Sequence, residues 1–199
     1  MEATGIVLAG GRSSRFGRDK LKEPLDGEPL LHHAITPLVG LCRSVVVVLA
    51  PAASEPTLPW AAQVRFVHDD VVDEGPLRGA ATGLRADDDD WGVLVGGDMP
   101  SVPPAVLELL LDAAQGHDGA ALEDGGTIRP LPCVLRTAPA RARSEELLAR
   151  GERRLRALVE ALAVALVAED RWTALDPDRR TLIDVDEPAD LDRLAGDEA

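Results

Sequence analysis

The sequence predicts an α/β protein on a mainly parallel sheet, and three observations carry that prediction. Short apolar runs recur along the chain and stop at glycine or proline. Segments of helical length separate them, so strands and helices alternate, as parallel sheets require. One run, Ser44–Leu49 (SVVVVL), is β-branched and apolar on both faces, which fits a strand covered by helices on both sides. Aromatic residues make up only 3% of the chain, so the core must be built from Ala, Val and Leu.

Element by element, Thr4–Ala9 reads as a buried strand ended by Gly10 and Gly11. Leu30–Leu41 fits a helix, Ser44–Leu49 a strand, and residues 51–60, with three prolines, a loop. Val64–Val67 is a short strand, Gly79–Ala86 a helix, and Trp91–Val95 a buried strand stopped by Gly96 and Gly97. Pro104–Gln115 is a helix with proline in its first turn. Ala120–Glu123 and Leu131–Arg136 read as strands around a Gly125–Gly126 turn, followed by helices at Ala140–Arg150 and Glu152–Leu162. Val164–Val167 and Leu182–Val185 fit late strands, and Ala189–Leu194 a closing helix. Residues 1–195 make a single domain with a frayed acidic tail at 196–199. Asp87–Asp90 reads as a solvated turn.

The net charge of −14 argues against a nucleic-acid or anionic-membrane surface, because both need cations. Cys42 and Cys133 stand far apart among apolar neighbours and read as buried thiols rather than metal ligands. No signal-like segment opens the chain and no apolar run approaches the roughly 18 residues of a membrane span. The expectation is a cytoplasmic protein.

In α/β sheets ligands gather at the carboxyl ends of the strands, so the loops there come first. After the first strand, Arg12, Arg15, Arg18 and Lys20 place four cations in nine positions, beside Gly10, Gly11, Ser13 and Ser14. Glycines let backbone N–H groups approach a phosphate, and arginine adds forked contacts. The spacing is neither the Walker pattern nor the dinucleotide fingerprint. The physical reading is a triphosphate cradle; a glycine turn with solvated arginines is the plainer alternative. Asp98 follows the strand Trp91–Val95 directly, a place from which a carboxylate can hold a magnesium ion that bridges NTP phosphates, or simply cap a turn.

The run from Leu8 to Lys20 resembles the signature LxAGGxSxRMGxDK of the nucleotidyltransferases related to molybdenum cofactor guanylyltransferase. Leu8, Ala9, Gly10, Gly11, Ser13, Arg15, Gly17, Asp19 and Lys20 match, and Phe16 replaces the usual Met. The paired glycines favour the guanylyl over the cytidylyl branch. Further resemblances follow along most of the chain. Gly97-Asp98-Met99-Pro100 resembles the family's xDxP element, which supports Asp98 as a metal ligand. Glu74-Gly75-Pro76-Leu77-Arg78-Gly79 resembles its GPLxG nucleotide contact, which implicates Gly75, Pro76, Leu77 and Gly79. Asp184-Val185-Asp186-Glu187-Pro188 resembles DVDTP, with Asp186 as a second metal ligand or as a cap for the last helix.

By the same resemblance, one of Asp69 and Asp70 reads the guanine base, and Asp69 aligns better; guanine N1–H and its 2-amino group are adjacent donors that suit a carboxylate. An asparagine common after the second strand is replaced here by Leu49-Ala50-Pro51. Gly151-Glu152-Arg153-Arg154-Leu155 resembles the guanylyltransferases' GERR element, and Arg153 and Arg154 would hold the acceptor's phosphate. Arg129, in Arg129-Pro130-Leu131-Pro132, is a similar and weaker candidate, and solvated charge is the alternative for all three.

The resemblance implies a Rossmann-like three-layer sandwich of the nucleotide-diphospho-sugar transferase type. It also implies transfer of GMP from GTP to molybdopterin or its molybdenum form, with Mg²⁺, and catalysis by Arg15, Lys20 and Asp98. GTP and molybdopterin would be the small-molecule partners, with transient contact with molybdoenzymes or their chaperones, and neither nucleic acid nor membrane. Three alternatives stay open: a cytidylyltransferase for the same pterin, a sugar-phosphate or phospholactate nucleotidyltransferase, and a non-catalytic cofactor adaptor.

Overall fold

The computed structural model describes residues 1–10, 20–71 and 74–195. The first strand, β1 (Ala3–Ala9), leads to a single 3₁₀ turn at Lys20–Lys22. A small hairpin of β2 (Pro24–Leu25) and β3 (Glu28–Pro29) follows, then helix α1 (Leu30–Leu41). Next come β4 (Ser44–Leu49), β5 (Val64–His68), α2 (Pro76–Ala86), β6 (Trp91–Gly96) and α3 (Pro104–Ala113). The hairpin of β7 (Gly119–Asp124) and β8 (Thr127–Arg136) leads into α4 (Thr137–Ala149) and α5 (Leu155–Glu160). The chain ends with β9 (Val164–Val167), α6 (Glu169–Thr173), a 3₁₀ turn at Arg180–Leu182, and α7 (Pro188–Ala195).

The main sheet has seven strands in the order β5-β4-β1-β6-β8-β7-β9. The neighbours β5-β4, β4-β1, β1-β6 and β7-β9 are parallel, whereas β8 runs antiparallel to both β6 and β7. The reversal follows from the two-residue loop between β7 and β8. Gly125 and Gly126 have φ of 56° and 72°, the left-handed pair of a type I′ turn that returns the chain beside itself. The sheet is thus mixed and mainly parallel, a Rossmann-like α/β fold.

Alternation along the strands sorts the core into two layers. Val45, Val47 and Leu49 of β4, with Val93 and Val95 of β6, meet α1, α3 and Trp172 of α6. Val46, Val48 and Leu94 point the other way, onto α2, α4 and α5. Both layers are almost wholly aliphatic, and Trp172 is a fully buried exception. Helix α2 lies very close to the sheet at Gly83, where a Cβ would stand 2.4 Å from Ile6 Cγ2. A small third cluster joins Leu25, Leu30, Val185 and Leu194, and holds the C-terminal segment against the start of α1.

Several expectations are corrected. Leu182–Val185 is not a strand. Val185 makes one backbone bond, its N–H to the Asp98 carbonyl at 2.9 Å, while its side chain is buried in the third cluster, so the segment passes the sheet end without a ladder. The helix expected from Glu152 begins at Leu155, because Glu152 turns its carboxylate onto the backbone N–H groups of Arg153 and Arg154. Nor is Asp87–Asp90 simply solvated. Asp87 is buried and accepts from Thr137 Oγ1 at 2.6 Å, and Asp89 accepts from Thr4 Oγ1 at 2.8 Å. Cys42 and Cys133 are buried free thiols, as expected, and burial pushes both up to about 12. Among the described residues no helix is long and apolar enough to cross a membrane.

Candidate active site

β1 lies between β4 on one side and β6 on the other, so the connections leave it in opposite directions and a crevice opens at the carboxyl ends of these strands. A cavity of about 690 Å³ fills that crevice. One end is walled by Leu8, Gly10, Val48, Ala50 and Pro51 from the ends of β1 and β4. Asp69 and the segment Gly75, Pro76 and Gly79 close that end. Gly96, Asp98 and Met99 stand in the middle, and Arg129, Pro130, Leu131, Leu182 and Asp184 form the far wall.

Asp69 is fixed at the end of β5 by its own N–H, which donates to the Leu49 carbonyl at 2.9 Å. Its carboxylate sits between two glycines. A Cβ at Gly10 would lie 3.5 Å from Oδ2, and one at Gly79 3.6 Å from the same atom. Oδ1 is buried and has no hydrogen-bond partner among the described residues, a costly state for a polar atom unless another group completes it. Burial raises the Asp69 pKa, against the Thr82 hydroxyl and the charges of Arg78 and Arg85. Asp70 is exposed and reaches Arg85 at 3.7 Å.

Beside the cavity, at Asp98, segments far apart in sequence converge on one ammonium group. Lys20 Nζ donates to Asp98 Oδ2 at 2.8 Å, to the Val185 carbonyl at 2.8 Å and to Asp186 Oδ1 at 3.1 Å. The segment bearing Asp186 is held in turn by Asp190, whose Oδ2 accepts from the N–H groups of Asp186 and Glu187, both at 2.9 Å. Burial works against the charged form of Lys20. The hydrogen bonds and charges of Asp98, then Asp186, outweigh it and hold its pKa above the usual lysine value. Asp184 is pushed up to about 6, first by burial and then by the charges of Asp98 and Asp186, with Lys20 and Arg129 opposing.

Gly75, at the N-terminus of α2, has φ 78° and ψ 174°, a conformation essentially confined to glycine. A Cβ there would stand 2.8 Å from the Arg153 carbonyl. That carbonyl also accepts the Leu77 N–H at 3.2 Å, so the two motifs are packed backbone to backbone. Leu77 itself is buried in the core beneath α2. Glu74 ties the pair from outside. Arg78 contacts it through two nitrogens, Arg153 Nη2 donates to its Oε1 at 3.1 Å, and these cations, Arg78 first, hold its carboxyl below the usual range.

Leu8, Gly10, Asp69, Gly75, Pro76, Gly79 and Asp98 therefore meet around one cavity, with Ala9 buried just behind. Lys20 and Asp186 join them through Asp98. Gly11, Ser13 and Arg15 lie outside the described residues. Arg153 braces Glu74 and Gly75 behind the wall, and the exposed Arg154 pairs with Glu152 at 2.7 Å; neither lines the cavity. Among the described lining residues Arg129 is the basic one, held by two nitrogens to Asp124. Asp184 and Val185 belong to the stretch resembling DVDTP, but neither is singled out there as a site residue, and a backbone carbonyl such as that of Val185 is not marked by residue type.

Two carboxylates within reach of one cation, beside a cavity sized for a nucleotide, suit phosphate chemistry with a hard metal. Magnesium is commonly held by one or two carboxylates with phosphates and water completing the shell. Asp98 and Asp186 fit that donor set, although among the described residues no cluster of three or more His, Cys, Asp or Glu side chains forms an all-protein cage.

Known proteins resemble this chain along most of its length. Residues 5–167 match the model of the MobA-like NTP transferase domain. A probable molybdenum cofactor guanylyltransferase of Chloroflexus aggregans is 36% identical over 197 residues, covering 96% of this chain and 92% of that protein. Among solved structures, the molybdopterin-guanine dinucleotide biosynthesis protein A of Archaeoglobus fulgidus superposes with a TM-score of 0.76 at 23% identity, covering 96% of each chain. The 2-C-methyl-D-erythritol 4-phosphate cytidylyltransferase of Thermus thermophilus superposes with 0.74 at 20% identity, covering 98% of each. At such identities the two structures speak for the fold alone. The family match and the Chloroflexus relative go further: this chain belongs to the MobA-like nucleotidyltransferase family.

Proposed function

We propose that this nucleotidyltransferase moves GMP from GTP to the terminal phosphate of molybdopterin, or of its molybdenum form, and releases pyrophosphate. The observation that carries the choice of guanine is Asp69. Its buried Oδ1 lacks a partner among the described residues, and the residue lines the cavity. Guanine offers two adjacent donors, N1–H and the 2-amino group, and a carboxylate accepts both. Cytosine offers a single donor group, its 4-amino, beside the N3 acceptor, and cannot supply the adjacent pair.

With the base against Asp69, the ribose passes Gly75, Pro76 and Gly79, and the phosphates reach Asp98. Gly10, with Gly11 and Ser13, supplies backbone and hydroxyl donors to the phosphates. A phosphate oxygen of the acceptor attacks the α-phosphorus; the bond from that phosphorus to the bridging oxygen breaks, and pyrophosphate departs in line. The electron pair stays on pyrophosphate, so no enzyme nucleophile is needed. Lys20 and Arg15 offset the charge that grows on the leaving group, and Asp98 and Asp186 hold Mg²⁺. That ion supplies Lewis-acid neutralisation of the phosphate oxygens. Arg129 faces the acceptor from the far wall, whereas Arg153 braces the Gly75 turn at the base end and Arg154 stands outside the cavity.

Calorimetric titration with GTP, CTP, ATP and UTP in the presence of Mg²⁺ tests the base assignment. Selective binding of GTP that is lost in Asp69→Asn supports it. Selective binding of CTP moves the chain to a cytidylyl specificity with the same chemistry. Binding of any NTP without pyrophosphate release on addition of acceptor would replace the enzyme by a cofactor adaptor.

A further inference from the structure

The proposed function asks Lys20 to serve the phosphates, yet its ammonium already has three acceptors. They are Asp98 Oδ2, the Val185 carbonyl and Asp186 Oδ1, at 2.8, 2.8 and 3.1 Å. An ammonium has three N–H donors, and these three oxygens, all from described residues, are enough to take them. All three acceptors are oxygens, two of them carboxylate, which is also the donor chemistry that a small divalent cation selects. The Asp98 and Asp186 side chains are 30% and 58% exposed, so the seat opens to solvent, whereas the Lys20 side chain is only 10% exposed. Two cations cannot occupy one such seat together.

We propose that Lys20 is the resident cation of the metal seat. In the nucleotide-free protein its ammonium neutralises Asp98 and Asp186, and Mg²⁺ takes that place once the triphosphate offers the ammonium other acceptors. The inference rests on the reading of Asp98 and Asp186 as the magnesium-holding pair. Lysine suits the task because its charge rides on a flexible four-carbon stem and can move by rotamer change while the backbone stays. Metal and nucleotide then enter together, and the empty site does not collect stray divalent ions.

Mn²⁺ binding without nucleotide, followed by electron paramagnetic resonance, tests this in wild type and Lys20→Met. The expected result is at least tenfold tighter Mn²⁺ binding by the variant. Equal affinity in the two, with Mn²⁺ recruited to wild type on adding GTP, overturns the inference and leaves the metal pair standing. No Mn²⁺ binding by either protein, with or without GTP, removes the metal pair and the inference with it.

A second measurement needs no variant, because Lys20 and Lys22 are the only lysines in the chain and Lys22 is exposed. Acetylation by an amine-reactive ester, read by mass spectrometry, gives the Lys20:Lys22 ratio directly. Lys20 is expected to react far more slowly than Lys22 in the free protein, and severalfold faster at saturating Mn²⁺. A ratio unmoved at saturating Mn²⁺ overturns the proposal even if Lys20→Met fails to fold.

Discussion

Lys20 and Asp98 are 78 residues apart in sequence, and their side chains meet at 2.8 Å beside the carboxyl end of β6. Parallel neighbours in a sheet bring their carboxyl ends to one edge, and β1 pairs directly with β6. Gly97 N–H donates to the Leu8 carbonyl at 2.9 Å and continues the pairing of β1 with the chain just past β6. The sheet order brings Asp98 to the edge where Lys20 meets it, and the proposed chemistry depends on this pair.

Lys20→Ala and Asp98→Ala should each lower turnover by about a hundredfold, since a charge-stabilising group is worth roughly 3 kcal/mol in the barrier. Pyrophosphate release measures the rate, and circular dichroism shows whether the fold persists. Normal turnover in either folded variant contradicts the assignment.

Asp69→Asn should separate binding from stability. GTP affinity should fall about ten- to a hundredfold, in line with roughly 1.5–3 kcal/mol for hydrogen bonds to a charged group. Thermal stability at neutral pH should rise. Burial lifts the folded pKa of Asp69 above its ordinary 3.8, so the wild type bears no penalty below that value and a growing one as pH climbs through the raised pKa. Melting curves of both proteins across that range should diverge with increasing pH, and parallel curves would contradict the burial argument.

Gly75→Ala should destabilise the protein by about 1–3 kcal/mol, the usual cost of a side chain in this backbone region. The clash falls on the Arg153 carbonyl, so the damage should extend to nucleotide binding, with the Michaelis constant for GTP rising along with the loss in urea midpoint. A neutral outcome in both would show that the Gly75–Arg153 contact is loose.

On the acceptor side, Arg129 lines the cavity and Arg154 does not. Arg129→Ala should raise the acceptor's Michaelis constant about tenfold or more, by the same charged hydrogen-bond scale, and leave GTP affinity unchanged. Arg154→Ala should change it less than about twofold, because exposed ion pairs contribute little. The reverse ranking would move the acceptor's phosphate out to the rim.

Much of the fold was legible because local signals and burial agree. β4 coincides with the β-branched run Ser44–Leu49, and α1 with Leu30–Leu41. The Asp26-Gly27 turn of the β2–β3 hairpin carried an ordinary hairpin signal, with φ of 50° and 84°, but its strands are only two residues long and too short to show a period. Leu182–Val185 misled because its apolar residues are split between two packing clusters, Leu182 against the sheet core and Val185 with Leu25, Leu30 and Leu194, without strand pairing.

In the site, Asp98 was readable from its place after a buried strand. The Val185 carbonyl was not, because a backbone oxygen leaves no trace in residue type. The role of Arg129 likewise depends on Asp124 across the hairpin, a contact set by register.

The central claim is guanylyl transfer, and the most direct measurement is product identity. The protein is incubated with molybdopterin, Mg²⁺ and each of GTP, CTP, ATP and UTP in turn, and the products are weighed by mass spectrometry. The account requires a molybdopterin guanine dinucleotide and pyrophosphate from GTP, with little product from the other three. A cytosine dinucleotide made in preference, or no dinucleotide from any NTP, would contradict it.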